Sequence, residues 1–516
     1  MASSAYVPAD DLANAQGISE HTVLYGGRKA SLQLHVLIVG CGLGGLAAAH
    51  SLAQAGHRVT LVEAAHAIGD VGAGIQVTPN VSRLLIRWGL AQQLRDIAVT
   101  PEAIVFRRYS TGERVGYTKW GDRMLHNHGS PYYNIHRADF HRMLFDLAAP
   151  FIDLRLKSTV VAVDPGPEKP SLTLASGEVI YGDLIVGADG VKSLVQKVVL
   201  GRENLAEPTG DAAYRAIIPT SVMLSDSDLK PFVDLPEMTA WMGPGRHMMA
   251  YNIRAKREFN VVLIHPDDGS VESWSAEGSA DKMRADFADF EPRVRKLLSH
   301  VKSTLKWRLM GRQPLETWVH PAGRVVLLGD SCHPMLPYRA QGAAMAIEDA
   351  AVLGSLFSRL SHPSQIAPLL KAYEHLRLPR TAETQASSRL NQYIFHLPDG
   401  EAQRVRDQDM KRAMEAEFQV LKAEGDTAGV RFEDVVVCKK EETAEGVDVF
   451  RENFDGEGNQ NQWADKRKNV EQFGYDADEA AERWWAEVGV REVEPLGHAK
   501  GASTNGESGE EVSARL

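Results

Sequence analysis

One stretch near the N-terminus constrains the fold of this 516-residue chain more than any other. An apolar run at residues 36–39 leads into Gly40-Cys-Gly42-Leu-Gly-Gly45, which has the GxGxxG spacing. Small and apolar residues at 46–52 predict a helix, and a second apolar strand ends at Glu63. This order of strand, glycine turn, helix, strand and acid predicts the first unit of a parallel α/β sheet that binds a dinucleotide.

Each glycine of the turn has its own task in such a site. Gly40 makes the tight turn, Gly42 lets a pyrophosphate approach the backbone, and Gly45 lets the helix pack closely on the strand. The amides at the helix N-terminus would hold the phosphates, and Glu63 can accept both hydroxyls of an adenosine ribose. The stretch by itself fits NAD as well as FAD.

Composition excludes several other classes of protein. A net charge of -11 disfavours nucleic acid and anionic membranes as partners, because neither would be attracted. The three cysteines are far apart and fit neither a disulfide framework nor a zinc site, and the histidines lack HExxH spacing, so we expect no metal. The first 29 residues lack the apolar core of a signal peptide, and no apolar run approaches the roughly 20 residues that span a bilayer. We therefore expect a cytoplasmic protein that works without a membrane.

The chain divides by pattern into several parts. Alternating apolar residues from about 210 to 310 predict an antiparallel sheet inserted within the dinucleotide-binding domain, and residues 104–117 predict a hairpin. The predicted parts are a flexible arm (1–30), a discontinuous cofactor-binding domain (31–205 and 311–390, with part of the substrate sheet near 100–135), a substrate domain (206–310), a helical C-terminal region (391–490) and a disordered tail (491–516).

Three apolar strands end in chemically distinctive loops, at residues 40–45, 187–190 and 329–342. Ligands of an open parallel sheet bind at the carboxyl ends of its strands. The three loops can therefore face one extended ligand although they are far apart in sequence.

The motifs Gly40-Cys-Gly-Leu-Gly-Gly45, Gly187-Ala-Asp-Gly190 and Gly329-Asp-Ser-Cys-His-Pro334 together resemble the FAD-dependent aromatic hydroxylases of the para-hydroxybenzoate hydroxylase fold. The segment from Leu336-Pro-Tyr-Arg to Ile-Glu-Asp349 is most similar to fungal salicylate hydroxylase-like monooxygenases. The resemblance covers residues 34–395 and implies a Rossmann-type, FAD-binding parallel sheet, an inserted and mostly antiparallel substrate domain, and a helical C-terminal region.

The resemblance also implies roles for individual residues. Glu63 would bind the FAD ribose, Arg137 would lie along the pyrophosphate or flavin edge, and Asp330 would bind the ribitol or a nearby phosphate. Asp189 lies in the segment that such enzymes use for both FAD and the nicotinamide nucleotide. Alternatively, Arg137 is a surface cation and Asp189 caps the following turn. Further implied flavin contacts are Gly74 and Val77, and the amides of Gly342 and Ala343 can stabilise negative charge on the reduced ring.

A flavin enzyme of this kind takes hydride from NADH or NADPH, forms a flavin C4a-hydroperoxide with O2, and transfers one oxygen atom to an electron-rich ring. Arg215 can place a positive charge beside a phenolate or carboxylate, and Tyr251 can hydrogen-bond the same substrate. A structural ion pair and an ordinary sheet tyrosine are the alternatives, and Tyr214 should point away from Arg215.

The predicted function is hydroxylation of a small phenolic, salicylate-like or fused aromatic substrate by a monomer or homodimer. The rival functions are a flavin oxidase or dehydrogenase on the same fold, and a flavin-binding regulatory protein without catalysis.

Overall fold

The computed structural model describes residues 23–67, 72–269, 276–427, 430 and 460–493. Most of the arm and tail predicted from the sequence lies outside these residues, as do Cys438 and part of the loop before Gly74. No helix within the described ranges is long and apolar enough to cross a bilayer.

The strands and helices alternate in the first part of the chain and segregate later. The strands are β1 (His35–Val39), β2 (Arg58–Val62), β3 (Gly74–Val77), β4 (Ala103–Arg108), β5 (Arg114–Lys119), β6 (Tyr133–His136), β7 (Asp153–Arg155), β8 (Val160–Asp164), β9 (Ser171–Leu174), β10 (Val179–Tyr181), β11 (Leu184–Gly187), β12 (Glu207–Pro219), β13 (Met238–Gly243), β14 (Arg246–Ile253), β15 (Glu258–Pro266), β16 (Ala276–Gly278), β17 (Thr304–Gly311) and β18 (Val325–Leu327).

The helices are α1 (Leu43–Gln54), α2 (Pro79–Arg87), α3 (Ala91–Ile97), α4 (Asp122–His128), α5 (Arg137–Ala148), α6 (Leu194–Leu200), α7 (Thr220–Leu224), α8 (Pro231–Asp234), α9 (Ala280–Asp286), α10 (Pro292–Ser299), α11 (Gly342–Phe357), α12 (Ile366–Phe395), α13 (Glu401–Glu424), α14 (Lys466–Phe473), α15 (Ala477–Trp484) and α16 (Val490–Glu492). The two longest helices, α12 and α13, lie in the C-terminal part.

A parallel sheet of five strands, in the order β18-β11-β1-β2-β7, forms the cofactor-binding half of the molecule. The apolar residues of β1 are buried in the core of this half, as is typical of a parallel sheet that is covered on both faces. The strands β18, β11 and β1, whose glycine-containing loops the sequence singled out, are direct neighbours. The prediction that these three loops meet at one edge is therefore confirmed.

A second, eight-stranded sheet has the order β16-β17-β12-β15-β14-β13-β4-β5. Its pairs are antiparallel except for β13 with β4. Strands β12 to β17 lie between β11 and β18 in the chain, and the earlier hairpin β4-β5 completes one side of the sheet. The predicted insertion of a mostly antiparallel sheet, with a contribution from residues 100–135, matches this arrangement.

The C-terminal helices pack onto both halves. Helix α12 spans Ile366–Phe395 without a break although Pro379 lies within it, so the boundary predicted near residue 390 falls inside a helix. Helix α13 covers the outer face of the second sheet through Phe418, whose ring centroid lies 5.1 Å from that of Tyr117. Helix α15 packs against α11 of the cofactor-binding half. The fold is thus a mixed α/β fold with a parallel sheet, a separate mixed sheet and a helical C-terminal part.

Candidate active site

The glycine turn after β1 is closed so tightly that two of its glycines have no room for a side chain. Gly40 has φ +102°, and a β-carbon there would lie 2.5 Å from the carbonyl oxygen of Ala188. A β-carbon on Gly45 would lie 2.0 Å from the carbonyl oxygen of Gly40. A β-carbon on Gly42 would meet no protein atom within 4 Å. The protein therefore leaves space in front of Gly42, where a ligand backbone or phosphate can approach.

Glu63 fixes the same turn from the end of β2. One of its carboxylate oxygens accepts a hydrogen bond from the Cys41 amide and the other from the Ala65 amide, both at 2.8 Å. Each oxygen retains a second lone pair, so the carboxylate can still accept a ribose hydroxyl.

In front of this turn lies a cavity of about 420 Å³ between the two sheets. Its cofactor half is lined by glycine-rich and loop residues, namely Gly42, Leu43, Gly44, Gly74, Ile75, Gln76, Arg137, Ala188, Gly190, Leu328, Gly329, Asp330, Met335, Pro337, Ala340, Gln341, Gly342, Ala343 and Ala346. Its substrate half is lined mainly by the second sheet and the C-terminal part, namely Ile104, Tyr132, Arg215, Met238, His247, Met249, Tyr251, Val262, Ile264, Leu336, Tyr338, Phe395 and Trp463.

Arg137 and Asp330 give the cofactor half its charges. Burial lowers the pKa of Arg137, and Asp330 partly offsets this shift. Burial likewise raises the pKa of Asp330, which His333 and Arg137 partly counter. Gly342 and Ala343 begin the 16-residue helix α11 at the cavity wall, so the positive end of the helix dipole faces the space.

Two of the predicted cofactor contacts are placed differently from the others. The Asp189 carboxylate caps the start of α6, accepting hydrogen bonds from the Leu194 and Val195 amides at 2.8 and 3.1 Å. Its neighbours Ala188 and Gly190 line the cavity instead. Val77 is buried in the core of the cofactor-binding half, whereas Gly74 lines the cavity. The backbone of these segments, more than the two side chains, therefore faces the cofactor space.

Arg215 and Tyr251 lie on the same face of the second sheet, and both line the substrate half of the cavity. The guanidinium of Arg215 stacks over the Trp307 ring at 4.0 Å, and burial lowers its pKa to about 10. Burial also raises the pKa of Tyr251, although Arg215 and a hydrogen bond with Gln76 oppose this shift. At neutral pH the site therefore offers a cation and a neutral hydroxyl. Tyr214 lies in the core on the opposite face of the sheet, as expected.

Several cavity residues were missed by the sequence analysis. His247 lies on the same face of β14 as Tyr251, so the alternation of the strand could have found it. Its Nδ1 lies 2.9 Å from Nε2 of His396, and burial lowers the pKa of His247 well below the ordinary value. Phe395 and Trp463 come from the C-terminal part, where no local pattern indicates a cavity.

Cys332, His333 and Asp349 form a buried cluster beside the cofactor half. His333 Nε2 lies 2.6 Å from the Asp349 carboxylate, which also accepts a hydrogen bond from Arg377 at 2.8 Å. The Cys332 thiol donates to the Gly329 carbonyl at 3.3 Å, and burial raises its pKa well above the ordinary value. His333 and Asp349 thus join the loop after β18 to α11, and Arg377 of α12 bonds the same carboxylate, whereas the Cys332 bond lies within the loop.

The Rossmann-type sheet, its ligand-facing glycine turn and the roofing second sheet define a flavoprotein of the aromatic hydroxylase fold. Residues 33–388 match the family described as "FAD binding domain", and the chain belongs to the FAD-dependent monooxygenases of this family. It is 37% identical over 381 residues to FAD-dependent monooxygenase OpS4 of Beauveria bassiana (strain ARSEF 2860), a match that covers 73% of this chain and 89% of that protein. It is 34% identical over 377 residues to 3-hydroxybenzoate 6-hydroxylase 1 of Aquipseudomonas alcaligenes, with coverages of 71% and 91%.

Solved structures show the same fold. A salicylate hydroxylase substrate complex superposes with a TM-score of 0.63 at 25% identity, covering 77% of this chain and 98% of the other. HpxO of Klebsiella pneumoniae, solved with FAD and uric acid, superposes with a TM-score of 0.65 at 23% identity, covering 76% and 96%.

The residues present fit FAD. The space before Gly42, the helix start at Gly342 and the charges of Arg137 and Asp330 supply features that a dinucleotide requires. Glu63 would hold the adenosine ribose, and the loop that ends at Ala343 would hold the flavin.

Proposed function

We propose that this enzyme uses NAD(P)H and O2 to hydroxylate a phenolic ring whose ionised oxygen is held by Arg215 and Tyr251. Bound FAD would supply the redox chemistry by which NAD(P)H and O2 bring about hydroxylation of the ring. The residues of the chain bind and orient the ring, stabilise its charge and keep water out.

The state of Arg215 carries this proposal. Its guanidinium faces the cavity, and among the described residues it has no ion-pair partner and no acceptor for its Nε–H. A buried arginine without a carboxylate is unfavourable in the free protein. A phenolate or carboxylate of the substrate would relieve this cost, and the Tyr251 hydroxyl can donate a second hydrogen bond to the same oxygen.

His247, which lies on the same face of the second sheet as Arg215 and Tyr251, also supports binding of a phenol. Because burial keeps its ring neutral, His247 can hydrogen-bond a substrate hydroxyl without adding a second charge to the site. Its contact with His396 fixes the orientation of the ring.

The test compares Arg215→Ala with Arg308→Ala, an arginine of β17 that pairs with Asp267 away from the cavity. Both variants should retain FAD and its yellow colour. Only Arg215→Ala should lose phenol-stimulated NAD(P)H oxidation, by about 100-fold or more. Incorporation of one labelled oxygen atom from O2 into the product should accompany turnover of the unchanged enzyme.

Two outcomes would contradict the proposal. Hydrogen peroxide in proportion to product, with no label in that product, would indicate an oxidase. A flavin whose reduction responds to no aromatic compound would indicate a binding protein without catalysis.

A further inference from the structure

The cavity extends along five neighbouring strands of the second sheet, because its lining includes Arg215 of β12, Val262 of β15, Met249 of β14, Met238 of β13 and Ile104 of β4. Arg215 pairs with Val262, which pairs with Met249, which pairs with Ala240, which in turn pairs with Phe106. Directly paired residues share one face of a sheet. Arg215 and Phe106 are therefore the two ends of one row that crosses five strands, a span of roughly 19 Å at about 4.8 Å per strand.

The end of the cavity away from Arg215 is closed by an aromatic and apolar surface that we call the distal wall: Ile104, Tyr132, Met238, Phe395 and Trp463. The Phe395 and Trp463 rings are stacked, with centroids 5.9 Å apart and an angle of 18°. Phe106 packs behind them at 5.8 and 5.5 Å. None of the five residues carries a formal charge, so this end of the cavity suits an apolar group.

Trp463 is positioned in this wall by hydrogen bonds from its own segment to its backbone. Its amide donates to the Asn461 side chain at 3.1 Å, and the Asn469 side chain donates to its carbonyl at 2.7 Å. The Arg339 guanidinium lies over its ring at 5.1 Å, without any described hydrogen-bond partner for its buried Nε. A ring fixed on both sides presents a preformed surface, which reduces the entropy lost when a ligand binds.

The distal wall also lies partly outside the shared part of the family. The family match ends at residue 388, and both Phe395 and Trp463 follow it in the chain. The C-terminal part thus adds two aromatic side chains to a cavity whose cofactor half belongs to the family match.

We propose that the substrate is an extended phenol, with its anionic oxygen at Arg215 and a second ring or an apolar chain against Phe395 and Trp463. Phe395 lies against His247 of β14 and Phe106 of β4, with ring centroids 5.2 and 5.8 Å apart. These strands lie two and four places from β12, which carries Arg215. A second ring or chain on a substrate held at Arg215 would therefore extend toward Phe395 and Trp463. This inference rests on the proposed function for the placement of the phenol oxygen.

The test uses the FAD-loaded enzyme and two probes with the same hydroxy-carboxylate group, salicylate and 3-hydroxy-2-naphthoate. Binding is followed by the change that each probe causes in the flavin spectrum. We expect the naphthoate to bind about ten-fold more tightly than salicylate, because its second ring buries additional apolar surface. Trp463→Ala should reduce this preference to about two-fold, because it should weaken binding of the naphthoate more than binding of salicylate.

Control variants separate loss of the wall from loss of the fold. Trp463→Phe keeps a ring and should keep most of the preference, and Phe395→Leu should weaken it as Trp463→Ala does. Trp484→Ala changes a tryptophan of α15 that does not line the cavity and should change nothing. A preference for the naphthoate that survives both Trp463→Ala and Phe395→Leu, or its absence from the unchanged enzyme, would overturn the inference. Colourless protein, or salicylate binding that is insensitive to Arg215→Ala, would instead count against the proposed function.

Discussion

The hydroxyl oxygen of Tyr251 lies 2.8 Å from the point where a β-carbon on Gly74 would stand. Gly74 begins β3, and its amide donates to the Asn260 side chain at 2.7 Å. The absence of a side chain at residue 74 therefore lets the second sheet approach the cofactor half. This contact joins a predicted flavin neighbour to a predicted substrate ligand.

Gly74→Ala should displace Tyr251 and Asn260, because the added carbon would also lie 2.6 Å from the Tyr251 ring and 2.7 Å from the Asn260 side chain. We expect FAD to remain bound and phenol-stimulated turnover to fall about ten-fold or more, as displacements of about 1 Å do in other sites. The measurement is steady-state NAD(P)H oxidation. Gly166→Ala, in a surface loop between β8 and β9, is the control. Unchanged turnover in Gly74→Ala would show that the Tyr251 position is unimportant.

Gly42→Ala and Gly45→Ala should fail in different ways. A β-carbon on Gly45 collides with the Gly40 carbonyl, so this variant should lower the melting temperature of the FAD-free protein. A β-carbon on Gly42 meets only the cofactor space. Without FAD, this variant should therefore have the same melting temperature as the parent, but it should bind FAD at least about ten-fold more weakly. Thermal unfolding and flavin titration distinguish the two. Equal FAD affinity in Gly42→Ala would place the pyrophosphate elsewhere.

Asp189→Ala tests whether this carboxylate caps a helix or contacts a nucleotide. Loss of its hydrogen bonds to the Leu194 and Val195 amides should destabilise the protein by about 1 kcal/mol. The KM for NAD(P)H should change little, because the side chain is turned toward α6. Urea unfolding and steady-state kinetics measure the two effects. A large rise in KM at unchanged stability would instead assign Asp189 to the nucleotide.

The buried His50 of α1 should make the stability depend on pH. Burial lowers the pKa of its ring from 6.5 to about 4 in the folded protein. Between pH 4 and pH 6.5 the His50 ring is protonated in the unfolded chain but neutral in the folded protein. The free energy of unfolding therefore carries no penalty from His50 above pH 6.5, and it decreases as the pH falls toward 4. The free energy of unfolding, measured with urea at pH 7 and pH 5, should fall more in the parent than in His50→Leu. The difference should be at most about 1.4 kcal/mol for each pH unit. Parallel losses in both proteins would contradict this.

The sequence predicted those parts of the site that depend on local chain chemistry. The turn around Gly42 and the helix start at Gly342 have signatures within a few residues, and strand alternation separated Tyr214 from Arg215. Trp463 could not be predicted, because its position at the cavity depends on contacts with Phe395 and Phe106, which are distant in the chain. The cap formed by Asp189 depends on where α6 begins, and helix boundaries are the least certain part of such predictions.

The insertion of the second sheet between β11 and β18 has a consequence for biosynthesis. The ribosome releases Gly187 of β11 long before its pairing partner Leu327, and the strands β12 to β17 emerge in between. The parallel sheet therefore cannot be completed until the strands of the substrate sheet have been synthesised, and until then one edge of β11 has no partner. FAD, whose site needs the loop after β18, would be captured late in synthesis, so shortage of flavin should expose newly made chains to aggregation or proteolysis.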